Sequence, residues 1–223
     1  MDKKLFIQAI TKFTFGFIII ALLLFIPAGT LNYLNAWLFI GILFVPMFIV
    51  GIILMIKSPD LLRKRLNSKE KESEQGILLM VCGVMFICGF VVSGLNYRFE
   101  WIILPKMIVF IATSIFLFGY LLYAEVLREN MYLSRIIEIE ENQKVIDTGL
   151  YSIIRHPMYL STILLFLSIP LVLGSLLSFL IFMIYPFIIA KRIKNEEQVL
   201  EQGLEGYWEY KKKVKYKVIP FIW

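Results

Sequence analysis

The chain has 223 residues, of which 59% are hydrophobic, and a formal net charge of +6. Soluble domains are about 45–50% apolar, and here the apolar residues come in long blocks, which excludes an ordinary soluble domain and predicts an integral membrane protein. The charge does not point to nucleic acid, because the Lys and Arg residues flank the apolar blocks, where they anchor to headgroups.

Four blocks reach or approach the roughly 20 residues that cross a bilayer. The first, Phe13 to Thr30, is long enough to stay as a span rather than be removed as a signal. The second runs from Trp37 to Ile56 and is followed by the basic stretch "KSPDLLRKRLNSKEK". The third, Ile77 to Tyr97, contains Cys82 and Cys88, which read as small core residues and not as a disulfide framework. The fourth runs from Trp101 to Tyr123. Its Lys106 lies close enough to one end to snorkel. With ionisable residues almost absent from the blocks, an ion or proton transporter is disfavoured. One histidine and two membrane-buried cysteines give no metal site.

After a polar stretch, a fifth apolar region runs from Tyr159 to Ala190, interrupted by Pro170 and by Gly174 and Ser175. It is too long for one upright helix and too short for two full spans, so a tight helical hairpin with short or tilted arms is predicted. The fold class is therefore an all-α integral membrane protein in one membrane domain: four full spans, a C-terminal hairpin and a C-terminal helix. All basic residues except Arg98 and Lys106 fall on one side of this arrangement. The positive-inside rule then puts both termini, the polar segments and the C-terminal helix in the cytoplasm.

Two polar clusters carry the candidate chemistry. In "TGLYSIIRHPMYLS", Pro157 suits the first turn of a helix, where its missing N–H would have no partner anyway. That helix start, beside Arg155 and His156, would offer free backbone N–H groups to an anion. The plainer reading is that Arg155 and His156 only anchor the helix at the headgroups. The second cluster, Glu196 and Glu197, stands just beyond the end of the hairpin in "KRIKNEEQVLEQGLEGYWEYKKKVKYKVIPFIW". Adjacent residues point about 100° apart on a helix, so both face one pocket only if it wraps that helix. The plainer reading here is a solvated face, with Arg192 pairing to Glu196 at i,i+4. The hairpin nevertheless brings the acids back beside Arg155 and His156, giving a site with an anion-binding and a cation-binding end, as a zwitterionic or sulfonium ligand requires.

"GLYSIIRHPMY", an apolar hairpin and then "RIKNEEQVL…GYWEYKKKVKYKVIPFIW" resemble the isoprenylcysteine carboxyl methyltransferase family, in particular its bacterial members, with relatives among phospholipid N-methyltransferases. The resemblance is strongest from Arg128 to Trp223 and rests before that on topology and "SPDLLRKRL". It implies an S-adenosylmethionine-dependent membrane methyltransferase whose cofactor pocket contains Arg155, His156, Pro157, Tyr159, Glu196 and Glu197, with Tyr207 and Tyr210 in a Tyr-x-x-Tyr pattern. "RENMYLSRIIEIEENQKVIDTGLY" adds Asn130 and Tyr151 as secondary candidates. Arg155 and His156 are expected at the cofactor's charged end. Glu196 or Glu197 is expected on its amino or ribose groups, with the other orienting the acceptor; Glu197 and Arg155 are the expected catalytic pair. The partners implied are membrane lipids and a lipophilic or prenylated acceptor arriving from the bilayer between the hairpin and the fourth span, with no nucleic acid and no metal.

One departure is Ser161, where the family commonly has glycine. Integral-membrane sterol reductases carry a related Arg-His-Pro-Asn-Tyr-x-Gly-Glu segment, but this chain has Met158 and Thr162 at the Asn and Glu positions. That disfavours an NADPH-dependent reductase, which stays as the alternative enzyme class beside a non-catalytic membrane scaffold.

Overall fold

A computed structural model describes residues 3–66, 73–133, 139 and 142–223. Among these residues the chain is helical and contains no strand: α1 Lys3–Ala28, α2 Leu34–Lys57, α3 Pro59–Leu66, α4 Ser73–Phe99, α5 Lys106–Glu129, α6 Pro157–Val172, α7 Leu176–Phe182, α8 Tyr185–Gly203 and α9 Tyr207–Lys213. A short 3-10 turn, Gly149–Ser152, precedes α6. Five stretches are long and apolar enough to cross a membrane: the four expected blocks and Leu176–Gly203. At 1.5 Å per residue, the 16 residues of α6 rise about 24 Å, less than the roughly 30 Å of a bilayer core.

The helix ends differ from the apolar blocks for local reasons. α1 begins ten residues before Phe13, because "KKLFIQAITK" continues the helix past the apolar run. α5 starts at Lys106 rather than near Trp101, since Pro105 holds the extended φ and ψ of its N-cap and Glu100 turns the chain at φ 50°. The hairpin forms: α6 ends at Val172, Gly174 turns the chain at φ 77°, and the Ser175 hydroxyl caps α7 by accepting from Ser178 N–H at 3.2 Å. α8 then runs unbroken from the apolar arm into the charged segment.

The bundle has two distinct ends. At one, Tyr33 donates its hydroxyl to the Leu173 carbonyl and Asn96 Nδ2 lies 3.4 Å from the Gly174 carbonyl, so the hairpin turn joins the α1–α2 and α4–α5 connections. The opposite end gathers α3, the end of α5, the start of α6 and α9. Between them the core is aromatic: Phe86 packs edge-on against Phe166 and Phe182, tying α4 to α6 and α7. Contact of backbones also counts, as lipid-immersed helices associate through close packing. A Cβ at Gly94 would sit 2.6 Å from the Leu24 carbonyl, so only glycine lets α4 approach α1 there.

One expectation is corrected: Cys88 is exposed on the bundle's outer face and not in the core. α5 packs on α6 more extensively than any other pair of helices, with Gly119 placed so that a Cβ would stand 3.0 Å from Leu165.

Candidate functional site

The start of α6 is a junction of four chain segments. His156 is the N-cap and Pro157 the first helical residue, as the Arg-His-Pro order predicts. The helix start does not display a row of free N–H groups, however. Pro157 has none, Tyr159 N–H donates to the His156 carbonyl at 3.0 Å, and the N–H groups of Arg155 and His156 donate to the carbonyls of Tyr216 and Lys217 at 2.9 and 2.8 Å. The carbonyls of Tyr216 and Lys217 thus take up the two N–H groups just ahead of the first helical residue.

Side chains reinforce the junction. Arg155 Nε donates to Glu197 Oε1 at 2.8 Å, and one of its terminal nitrogens donates to the carbonyls of Val214 and Lys215 at 2.7 and 2.8 Å. His156 Nε2 lies 3.2 Å from the same Glu197 oxygen, and Lys217 Nζ lies 3.2 Å from the other. Arg155, His156 and Glu197 are all buried. Buried charges persist only when paired and hydrogen-bonded, and here both carboxylate oxygens are used.

Beside this cluster lies a cleft of about 110 Å³. Its walls include Asn130, Tyr151, Arg155, His156, Tyr159 and Glu196 from among the sequence candidates, together with Tyr207 and Tyr210. Glu197 and Pro157 are not among the lining residues; Glu197 turns to the ion-pair cluster, and Pro157 is buried in the first turn of α6. The adjacent glutamates therefore divide, one to the cleft and one behind its wall, as a 100° step on a helix requires. Arg192 Nε donates to the Tyr159 hydroxyl at 3.1 Å, and that hydroxyl donates in turn to Glu196 Oε2.

The far wall is set by short-range bonds. Asn130 Nδ2 donates to the Tyr151 hydroxyl at 2.9 Å, and the Tyr210 hydroxyl donates to the Tyr151 carbonyl at 2.8 Å. Tyr207 is different: its buried hydroxyl is one of two buried side-chain polar atoms without a partner among the described residues, the other being Ser93 Oγ. Burial first, then the negative charges of Glu197 and Glu196, push the Tyr207 phenol well above its ordinary range. It is a neutral donor at any physiological pH.

Sequence reading missed Lys217, Glu129 and Gly149. Glu129 accepts from Leu150 N–H at 3.1 Å, and a Cβ at Gly149, where φ is 50°, would fall 1.3 Å from a Glu129 carboxylate oxygen. Only glycine permits this contact, which fixes the turn carrying Tyr151 to the end of α5. Its only signal was a glycine two residues before Tyr151 in the quoted stretch. Ser161 is fully buried and donates to the Met158 carbonyl at 2.7 Å, so its hydroxyl is satisfied within α6. Residues 134–138, 140 and 141 of the "RENMYLSRIIEIEENQ" stretch lie outside the described residues.

An all-helical bundle with five candidate membrane spans and a polar, tyrosine-lined cleft at one end defines a multi-pass integral membrane protein. The model of the isoprenylcysteine carboxyl methyltransferase (ICMT) family matches residues 107–202. The match covers α5, the 3-10 turn and α6 to nearly the end of α8; α1 to α4, α9 and the segment containing Lys217 lie outside it. No curated protein matches the chain.

Proposed function

We propose that the protein transfers a methyl group from S-adenosylmethionine to an amphipathic acceptor at the membrane. The observation that carries this reading is a cleft lined by the partly exposed Glu196 carboxylate and by Tyr207, whose buried hydroxyl has no partner among the described residues, in a chain whose residues 107–202 match the ICMT-family model. The residues fit the cofactor chemically. A carboxylate accepts from amino and ribose hydroxyl groups, a neutral phenol donates to a carboxylate or ring nitrogen, and tyrosine faces with a nearby negative charge favour a sulfonium.

When bound, S-adenosylmethionine supplies a methyl group on a sulfonium, already a good leaving group. The work left to the chain is positioning and exclusion of water. Glu196 and Tyr207 bind, while Tyr132, Tyr151 and Tyr210 wall the cleft against water. Arg155 and His156 contribute to its lining, and Glu197, expected as a catalytic group, serves as a positioning residue that holds both of them. Calorimetric titration of the purified protein in detergent with S-adenosylmethionine, and with its demethylated product, is expected to show binding of both. A folded sample that binds neither overturns the reading; one that binds NADPH instead makes it a reductase.

The same reading places the cleft and both termini in the cytoplasm. Leu31 is exposed in the α1–α2 connection, at the hairpin-turn end, and Trp223 lies at the other end. In a chain lacking Cys82 and Cys88, Leu31→Cys is expected to react with an impermeant maleimide from outside the cell and Trp223→Cys only after lysis. The reverse pattern turns the bundle over.

A further inference from the structure

Outside the family-matched stretch, α1, α2 and α3 enclose a groove of about 460 Å³. Phe6, Phe13, Met47, Phe48 and Met55 are among its walls, and every other lining residue is apolar or glycine except Lys12 and Arg65. The groove opens on faces of α1 and α2 that carry Ile7, Phe15, Ile49 and Ile53 outward, the surface such helices turn to lipid. Lys12 lies about 24 Å along α1 from Ala28, within snorkelling reach of the headgroup end of a bilayer core about 30 Å thick. Its ammonium reaches the Leu66 carbonyl at the end of α3, a helix whose last turn holds Arg63, Lys64 and Arg65. Arg65 donates to the Tyr123 hydroxyl and lies 3.9 Å from the sulfur of Met158, which lines the cleft.

An apolar slot open to the bilayer and positive at its headgroup end complements one kind of occupant. We infer that the α1–α2–α3 groove is a binding site for an anionic phospholipid, its acyl chain along α1 and α2 and its phosphate between Lys12 and Arg65. Cations at headgroup level attract an anionic lipid over a zwitterionic one of the same chain length. The inference does not depend on the methyl-transfer reading, because none of the groove's residues lies in the family-matched stretch.

The test uses the full chain in detergent micelles with dioleoyl phosphatidylglycerol or dioleoyl phosphatidylcholine, counted by native mass spectrometry. Wild type is expected to retain one phosphatidylglycerol about tenfold more strongly than phosphatidylcholine. Lys12→Gln with Arg65→Gln should abolish the preference. Gly51→Leu should block the site by filling the groove, since a Cβ at Gly51 meets nothing within 4 Å. A photoactivatable phosphatidylglycerol needs no variant at all, and its cross-links are expected on Phe13, Phe48 or Met55. Equal retention of the two lipids by wild type overturns the inference. So do cross-links that map elsewhere, or a dimer in which the groove is shielded from the probe. Cofactor titration on the same samples reports separately on methyl transfer.

Discussion

The two sides of the cleft wall differ in how their polar groups are satisfied. On one side, Glu197 and Lys217 stand behind the wall and pair with Arg155 and His156, which line it, and Arg155 also uses carbonyls of the C-terminal segment. In front of the wall, Glu196 keeps part of its carboxylate exposed and Tyr207 has a buried hydroxyl with no partner among the described residues. A cluster whose carboxylate oxygens and most of whose donors are spent on protein partners chiefly holds structure. An incompletely satisfied one is suited to bind, because a ligand can supply what it lacks. The two neighbouring glutamates, nearly identical in sequence context, thus take opposite parts.

The contrast breaks first at Arg155. Arg155→Ala removes the partner of a buried carboxylate and both bonds to the Val214 and Lys215 carbonyls. It is expected to cost about 3–5 kcal/mol of stability, read as a lowered thermal midpoint in detergent, with cofactor binding lost as well. A loss under about 1 kcal/mol would show that the cluster does not hold the C-terminal segment.

Glu196→Gln sharpens the other side. The amide oxygen can still accept from Tyr159, so the thermal midpoint should hold, while loss of a charge-assisted bond to the cofactor should weaken binding by about 1.5–3 kcal/mol, tenfold or more. Unchanged affinity by calorimetry would remove Glu196 from the site.

Tyr207→Phe gives the smallest effect and the most specific one. Deleting an unsatisfied buried hydroxyl should leave the free protein as stable as before or slightly more so, and should weaken cofactor binding by about 0.5–1.5 kcal/mol. A fall in stability without ligand would mean that the hydroxyl already has a partner. Glu205, exposed in the turn between α8 and α9, supplies the baseline: Glu205→Gln should stay within about 0.5 kcal/mol of wild type in both measurements. Glu201 would not serve, because it is ion-paired with Lys211 and so ties α8 to α9.

Much of this molecule is legible in its sequence. The long apolar blocks, the hairpin broken at Gly174 and the helix starting at Pro157 all appear where composition and turn chemistry put them. These are local properties: the length and apolarity of a block, the φ preference of glycine and the missing N–H of proline act within a few residues. Arg155, His156 and Glu196 could also be named, since the hairpin that returns the acids to the basic cluster is itself a local feature. Which glutamate faces the cleft was decided only by the tertiary structure. So were the occupation of the helix start by the Tyr216 and Lys217 carbonyls, and the isolation of Tyr207. Each depends on the rotation of a packed helix or on a pairing across some 40 to 60 residues of chain. Such pairings are set by how whole helices pack, which no short stretch of sequence encodes.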